Sequence, residues 1–172
     1  MRATGLLQVY TGDGKGKTTA AVGLAVRARS RGLRVLFAQF MKPAAGGEPD
    51  ALAAMGVEVL RFSRIKPPLF NPGLDPEAQA REVSAAMAGL SALMPEFDLM
   101  VLDEFVHVIN TSEAAADEAR AFIEARPVQL EMVLTGRGAP GWLLEMADLA
   151  TEMRVLKHPA SGGLPARKGI EF

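Results

Sequence analysis

The chain has 172 residues, which suits one domain of the usual ~100–200. Its composition, 49% apolar and 23% charged, is that of an ordinary globular protein, and a net charge of −1 disfavours nucleic acid as the main partner, because phosphate backbones select basic faces. With no cysteine there can be no disulfide, thiolate metal site or thiol nucleophile; without a signal-like leader or an apolar run near ~20 residues, a cytoplasmic protein off the membrane is expected.

Leu6 to Thr11 is a short apolar and β-branched run, read as a buried strand. The segment "GDGKGKTT" follows, and Lys17 to Arg31 reads as a helix with so little polar face that burial on most sides is expected. Gly32 closes that helix. "LRVLFAQF" (Leu33 to Phe40) and "GVEVLRF" (Gly56 to Phe62) predict the next two strands. The prolines of "SRIKPPLFNPGLDPE" forbid regular structure and predict a long apolar loop. Asp75 to Met94 is an alanine-rich helix with Asp75 as N-cap and Pro76 in the first turn. "FDLMVLDEF" (Phe97 to Phe105) is a strand ending in two acids, and Ser112 caps a helix over Glu113 to Ala125. Strand "VQLEMVLTG" (Val128 to Gly136), a short helix (Ala139 to Ala147), strand "LATEMRVL" and a polar, glycine-rich surface tail complete the chain. Strands alternating with helices imply an α/β fold with a parallel sheet covered on both faces.

The glycine-lysine segment carries the chemistry. Gly12, Gly14 and Gly16 let the backbone approach a ligand, and their amides can form an anion nest at a helix start. Lys17 is placed to reach terminal phosphates and Thr18 to offer its hydroxyl to Mg²⁺; Lys15 adds a second cation and Thr19 another hydroxyl. The common P-loop has four residues between its first glycine and its Gly-Lys-Ser/Thr, whereas Gly12 and Gly16 enclose only Asp13, Gly14 and Lys15. The glycine order does not match a dinucleotide-binding G-x-G-x-x-G.

Asp103 and Glu104, after "LMVL", are where P-loop folds keep a carboxylate for Mg²⁺. The residues alone leave Glu104 two roles, metal partner or the base that polarises a water. Arg137 in "LTGRGAP" follows a strand and falls at the crevice beside the loop, in reach of phosphate. His107 and His158 can each ligate or donate, although a lone histidine more often satisfies a local hydrogen bond; Trp142 reads as core packing.

"VYTGDGKGKTTAAVGLAVRARSRGLRVLFAQFMKP", "DLMVLDEFVHVI", "VLTGRGAPGWLLEMADLATEMRVLKHP" and "ARKGIEF" together resemble the P-loop type of corrinoid adenosyltransferase, in order, from Leu6 to the last residue. The short loop, combined with L-D-E, T-G-R-G and the "KHP…ARKGI" tail, makes the resemblance specific. It implies a P-loop NTPase-like (RecA-like) fold binding MgATP and a corrinoid reduced to Co(I). Cobalt attacks the 5′ carbon of ATP, adenosylcobalt forms and inorganic triphosphate leaves. ATP lies reversed in the loop, and the corrinoid is cobalamin, cobinamide or cobyrinic acid a,c-diamide. The resemblance further implies a homodimer served by an electron-donating reductase.

With no phosphoryl group transferred, no attacking water needs a base, and Glu104 becomes a metal partner. The departing triphosphate calls for cations along its length: Lys15, Lys17, Arg137 and Mg²⁺. ATP contacts fall to Gly12, Asp13, Gly14, Lys15, Gly16, Lys17, Thr18, Thr19 and Arg137, and the metal to Thr18, Asp103 and Glu104. Two departures stand out. Many members carry a Gly-Phe-Thr-Trp-like stretch after the third strand; here "FSRIKPPLFNPGL" has no tryptophan, leaving Phe62, Leu69 and Phe70 as a possible corrin wall. Some members also have an N-terminal helix over the corrin, whereas this sequence starts almost at its first strand, so a partner subunit covers the site or it is more open. A motor- or helicase-type ATPase using Asp103 and Glu104, and a non-catalytic nucleotide- or corrinoid-binding relative, are the competing readings.

Overall fold

A computed structural model describes residues 4–42, 47–66, 71, 73–163 and 165–170. The apolar runs form six strands: β1 (Leu7–Thr11), β2 (Val35–Phe40), β3 (Glu58–Phe62), β4 (Leu99–Asp103), β5 (Glu131–Thr135) and β6 (Leu149–Glu152). All pair in parallel, in the order β3-β2-β4-β5-β1-β6. β2 and β4 are buried along their whole length, as parallel strands covered on both faces should be, while the edge strand β6 is exposed throughout.

The two faces are covered by different helices. On one, Leu36, Ala38, Phe40, Met100, Leu102, Met132 and Leu134 pack with α3 (Pro76–Leu93), α4 (Phe105–Ile109) and α5 (Glu113–Glu124). On the other, Val35, Phe37, Leu99, Val101 and Val133 pack with α1 (Lys17–Ser30) and α2 (Gly47–Ala54). The last helix, α6 (Gly141–Met146), adds Leu143 to the first face. Each fully buried side chain of this size contributes about 1.5–3 kcal/mol.

Strand alternation also selects the polar residues of the site. Following 35-37, 99-101 and 133 by steps of two leads to Gln39, Asp103 and Thr135, all on the α1 side at the C-terminal ends of three adjacent strands. Gln39 stands opposite Asp103 in the β2–β4 register. All three side chains are buried.

Several local expectations need correcting. Helix α1 does not bury most of its surface: Lys17, Ala21, Ala25 and Ala28 face inward, while Val22, Leu24 and Val26 are only partly covered. The small alanines let the helix lie close to the sheet, so a narrow face suffices. Strand β4 ends at Asp103; Glu104 leaves the strand in a left-handed conformation (φ 63°) and starts α4. The final strand stops at Glu152 rather than reaching Leu156. Helices α2 and α4 arise in segments without a strong periodic signal. The expected caps are present: Asp75 accepts from the Glu77 amide at 3.0 Å and Ser112 from the Ala115 amide at 3.1 Å. Trp142 packs against the core, with the Arg120 guanidinium 4.6 Å above its ring.

Candidate active site

The glycine-lysine loop joins β1 to α1 at the C-terminal edge of the sheet, and Gly16 is the N-cap of α1. The first-turn amides of a helix have no carbonyl partner within it, and the first turn of α1 carries no acid to compete for them. An anion is the complementary ligand.

The loop is pressed against the segment that follows β6. The Gly14 amide donates to the Met153 carbonyl at 2.7 Å. A Cβ at Gly12 would lie 2.5 Å from the Met153 carbonyl oxygen, and one at Gly14 2.6 Å from the same atom. Gly12 also has φ 93°. Close approach of two backbones therefore requires both glycines. The Gly14 amide, engaged by Met153, is not part of an anion nest as the loop stands.

Lys17 is the most enclosed cation of the site. Its Nζ donates to the carbonyls of Gly12 (2.6 Å) and Gly14 (2.8 Å), which arches the loop over the ammonium. Burial pushes its pKa below the ordinary lysine value, and the charges of Arg137 and Lys42 push the same way against the opposing pull of Glu104 and Asp13. Lys15 is exposed, and its Nζ donates to the Ile170 carbonyl at 3.0 Å, so the C-terminal segment reaches back to the loop.

Beneath the loop, Asp103 is the hub. Its Oδ1 accepts from Thr18 Oγ1 at 2.8 Å and Thr135 Oγ1 at 2.7 Å; its Oδ2 accepts from Gln39 Nε2 at 3.1 Å and Lys42 Nζ at 2.8 Å. A carboxylate removed from water needs such partners. Thr135 Oγ1 also accepts from the Glu104 amide at 2.9 Å, which fixes the turn out of β4. That turn aims the Glu104 carboxylate into the cleft, where its Oε1 lies 3.9 Å from Lys42 Nζ and its Oε2 lies 2.8 Å from His107 Nδ1. No hydrogen bond is made across that contact, and Glu104 Oε2 is buried without a hydrogen-bond partner.

A cleft of about 300 Å³ gathers Asp13, Lys15, Lys17, Thr18, Thr19, Lys42, Glu104, Arg137 and His158. Arg137 is held there by Asn110, whose Nδ2 donates to the Gly138 carbonyl at 3.0 Å and the Arg137 carbonyl at 3.4 Å. The loop, both acids and Arg137 thus come together as sequence spacing predicts. Phe62 lies apart from them: its ring stacks on buried Phe40, with centroids 4.7 Å apart. Leu69 and Phe70 lie outside the described residues.

Lys42, Gln39, Thr135, Asn110 and Met153 are additions that motif spacing does not supply. Period-two alternation could have found Gln39 and Thr135. Lys42 depends on a left-handed turn at Met41 (φ 52°), for which the sequence carries no glycine or asparagine as a signal.

Among the described residues no three acidic, histidine or cysteine side chains converge as a metal cage. Thr18, Asp103 and Glu104 instead offer a hydroxyl and two carboxylates, which suits an ion such as Mg²⁺ that takes one or two carboxylates plus substrate phosphates.

The sequence profile of the ATP:corrinoid adenosyltransferases BtuR/CobO/CobP matches residues 3–172. A corrinoid adenosyltransferase of Pseudomonas aeruginosa is 34% identical, over 98% of this chain and 84% of its own. The corrinoid adenosyltransferase CobA of Salmonella typhimurium is 35% identical, over 98% and 86%. Among solved structures, the flagellar accessory protein FlaH of Methanocaldococcus jannaschii superposes with a TM-score of 0.59 at 15% identity, over 87% of this chain and 71% of its own, a likeness of fold alone. The fold is the α/β, P-loop NTPase-like arrangement that the alternating elements and the family resemblance imply, and the chain belongs to the ATP:corrinoid adenosyltransferase family, with ATP and a corrinoid as its substrates.

Proposed function

We propose that the chain acts as one P-loop domain that transfers the 5′-deoxyadenosyl group of ATP to the Co(I) of a reduced corrinoid. The cobalt electron pair forms the bond to C5′. The C5′–O bond breaks, and its electrons leave with inorganic triphosphate, so cobalt ends formally as Co(III). The observation that carries the reading is the convergence of Lys15, Lys17 and Arg137 on one small cleft beside a P-loop one residue short.

In this reading the loop amides, Lys15, Lys17, Thr19 and Arg137 hold the triphosphate and stabilise its charge as it departs. Asp13 also lines the cleft, where its charge acts on Lys17, and Lys15 or the metal would compensate it beside the triphosphate. Thr18, Asp103 and Glu104 would hold Mg²⁺, which supplies further neutralisation of the leaving group. Glu104 Oε1 lies 3.9 Å from the Lys42 ammonium, and a carboxylate that already faces a cation suits holding a metal better than taking a proton. ATP lying reversed in the loop would present its 5′ carbon outward. Phe62, Leu69 and Phe70 are proposed as an apolar wall for the corrin. A homodimer and an electron-donating reductase complete the proposal.

The test is product identity. Incubation with MgATP and chemically reduced corrinoid is expected to give adenosylcorrinoid and tripolyphosphate in equal amounts. ADP and phosphate formed without corrinoid would instead identify a hydrolase of motor type. Tight binding with no turnover in either assay would identify a non-catalytic relative.

A further inference from the structure

Lys42 is the second residue after β2, and the left-handed turn at Met41 brings its side chain to the end of β4. Such a conformation is uncommon for a residue other than glycine and persists where its surroundings hold it. Met41 packs its side chain against the core, and Lys42 anchors its ammonium beyond the turn. Lys42 Nζ lies 2.8 Å from Asp103 Oδ2, 2.9 Å from Thr18 Oγ1 and 3.9 Å from Glu104 Oε1. These are oxygens of the three residues proposed to hold the divalent cation.

We propose that the Lys42 ammonium and the divalent cation compete for the oxygens of Thr18, Asp103 and Glu104, and that Lys42 moves onto the triphosphate when metal and nucleotide enter together. The inference rests on the assignment of Thr18, Asp103 and Glu104 to the metal. Three observations carry it. Asp103 is completely buried, so losing a cationic partner without replacement is costly. Lys42 is partly exposed and lines the cleft, so its flexible stem can carry the ammonium outward towards a bound anion. Among the described residues no three acidic or histidine side chains converge as a metal cage, so phosphate oxygens and water would complete the shell. Metal arrival satisfies Asp103 as Lys42 leaves, and the triphosphate gives Lys42 a new anionic partner. Each ligand removes the cost that the other would meet, so metal and triphosphate bind cooperatively and reciprocally.

Mn²⁺ and inorganic tripolyphosphate are the probes, with protein-bound Mn²⁺ read from the electron paramagnetic resonance signal of the slowly tumbling complex. The wild-type protein is expected to bind Mn²⁺ weakly alone and about tenfold or more tightly with saturating tripolyphosphate. Lys42→Met, shown folded by circular dichroism, should bind Mn²⁺ alone about tenfold more tightly, and metal-free tripolyphosphate about tenfold more weakly. Lys42→Arg, which keeps the charge, should resemble wild type in Mn²⁺ binding. Unchanged Mn²⁺ affinity in folded Lys42→Met overturns the proposal. So does equal Mn²⁺ affinity of wild type with and without tripolyphosphate, a comparison that decides the matter even if the methionine variant does not fold. Absence of Mn²⁺ binding even with tripolyphosphate removes the cation position and overturns it as well. No corrinoid enters these measurements, so failure of adenosyl transfer is a separate outcome.

Discussion

Lys17 carries its charge in an unfavourable place: buried, with Arg137 and Lys42 nearby, which lowers its pKa. An arriving triphosphate relieves both effects, so the charged ammonium and the anion favour each other. ATP affinity should therefore fall as pH rises through the lowered pKa of Lys17, below the ordinary lysine range, because only the protonated form binds. A pH series of ATP titrations on the wild type and Lys17→Arg checks this; the arginine, protonated throughout, should lose that alkaline limb. Lys17→Ala should lower adenosyl transfer by about 100-fold or more, measured with reduced corrinoid under saturating MgATP. Transfer at the normal rate in that variant would remove Lys17 from the leaving-group site.

The loop and the segment after β6 act as one unit. Gly12 and Gly14 both lie against the Met153 carbonyl, and the Gly14 amide is bonded to it. Gly12→Ala would meet this carbonyl at 2.5 Å while also forcing an L-residue to φ 93°. A loss of about 2–4 kcal/mol in denaturant-measured stability is expected, together with weaker ATP binding. Stability within 0.5 kcal/mol of wild type, a roughly neutral surface value, would mean the two segments are not in contact. At this scale the sequence is most legible where a local rule has no competitor. The strand–loop–helix of residues 7–30 and the caps at Asp75 and Ser112 follow from spacing and side-chain chemistry alone. It is least legible where a distant segment decides. Nothing in "LATEMRVL" says that Met153 leaves the sheet edge to lie on the phosphate loop, and nothing in "QFMKP" announces the turn at Met41. The width of the buried face of α1 likewise depends on how closely alanines let it approach the sheet, a tertiary property.

Across the whole molecule, the sheet order assembles the site. β5 stands between β1, which leads into the loop, and β4, which ends in the acid, so Thr135 bridges Asp103 and the Glu104 amide. Because every strand is parallel, loops from four strands open at the same edge, and Lys42, Glu104, Arg137 and the phosphate loop share one cleft. The residues of that cleft were readable from motifs where they belong to the phosphate loop, the acidic end of β4 or the turn at Arg137. Gln39, Thr135 and Asn110 act through another residue, and their place is set by strand register rather than by a motif. The cleft gathers Lys15, Lys17, Lys42 and Arg137, which in the proposed reaction would face a departing triphosphate, and the bond expected to break is C5′–O rather than P–O. ATP carrying ¹⁸O in the bridge between C5′ and the α-phosphorus tests this most directly, with the products separated and analysed by mass spectrometry after a single turnover on reduced corrinoid. All of the label should leave in tripolyphosphate and none should remain with the adenosyl group. Label retained in an adenosine-containing product would place the cleavage at phosphorus and contradict the proposed chemistry.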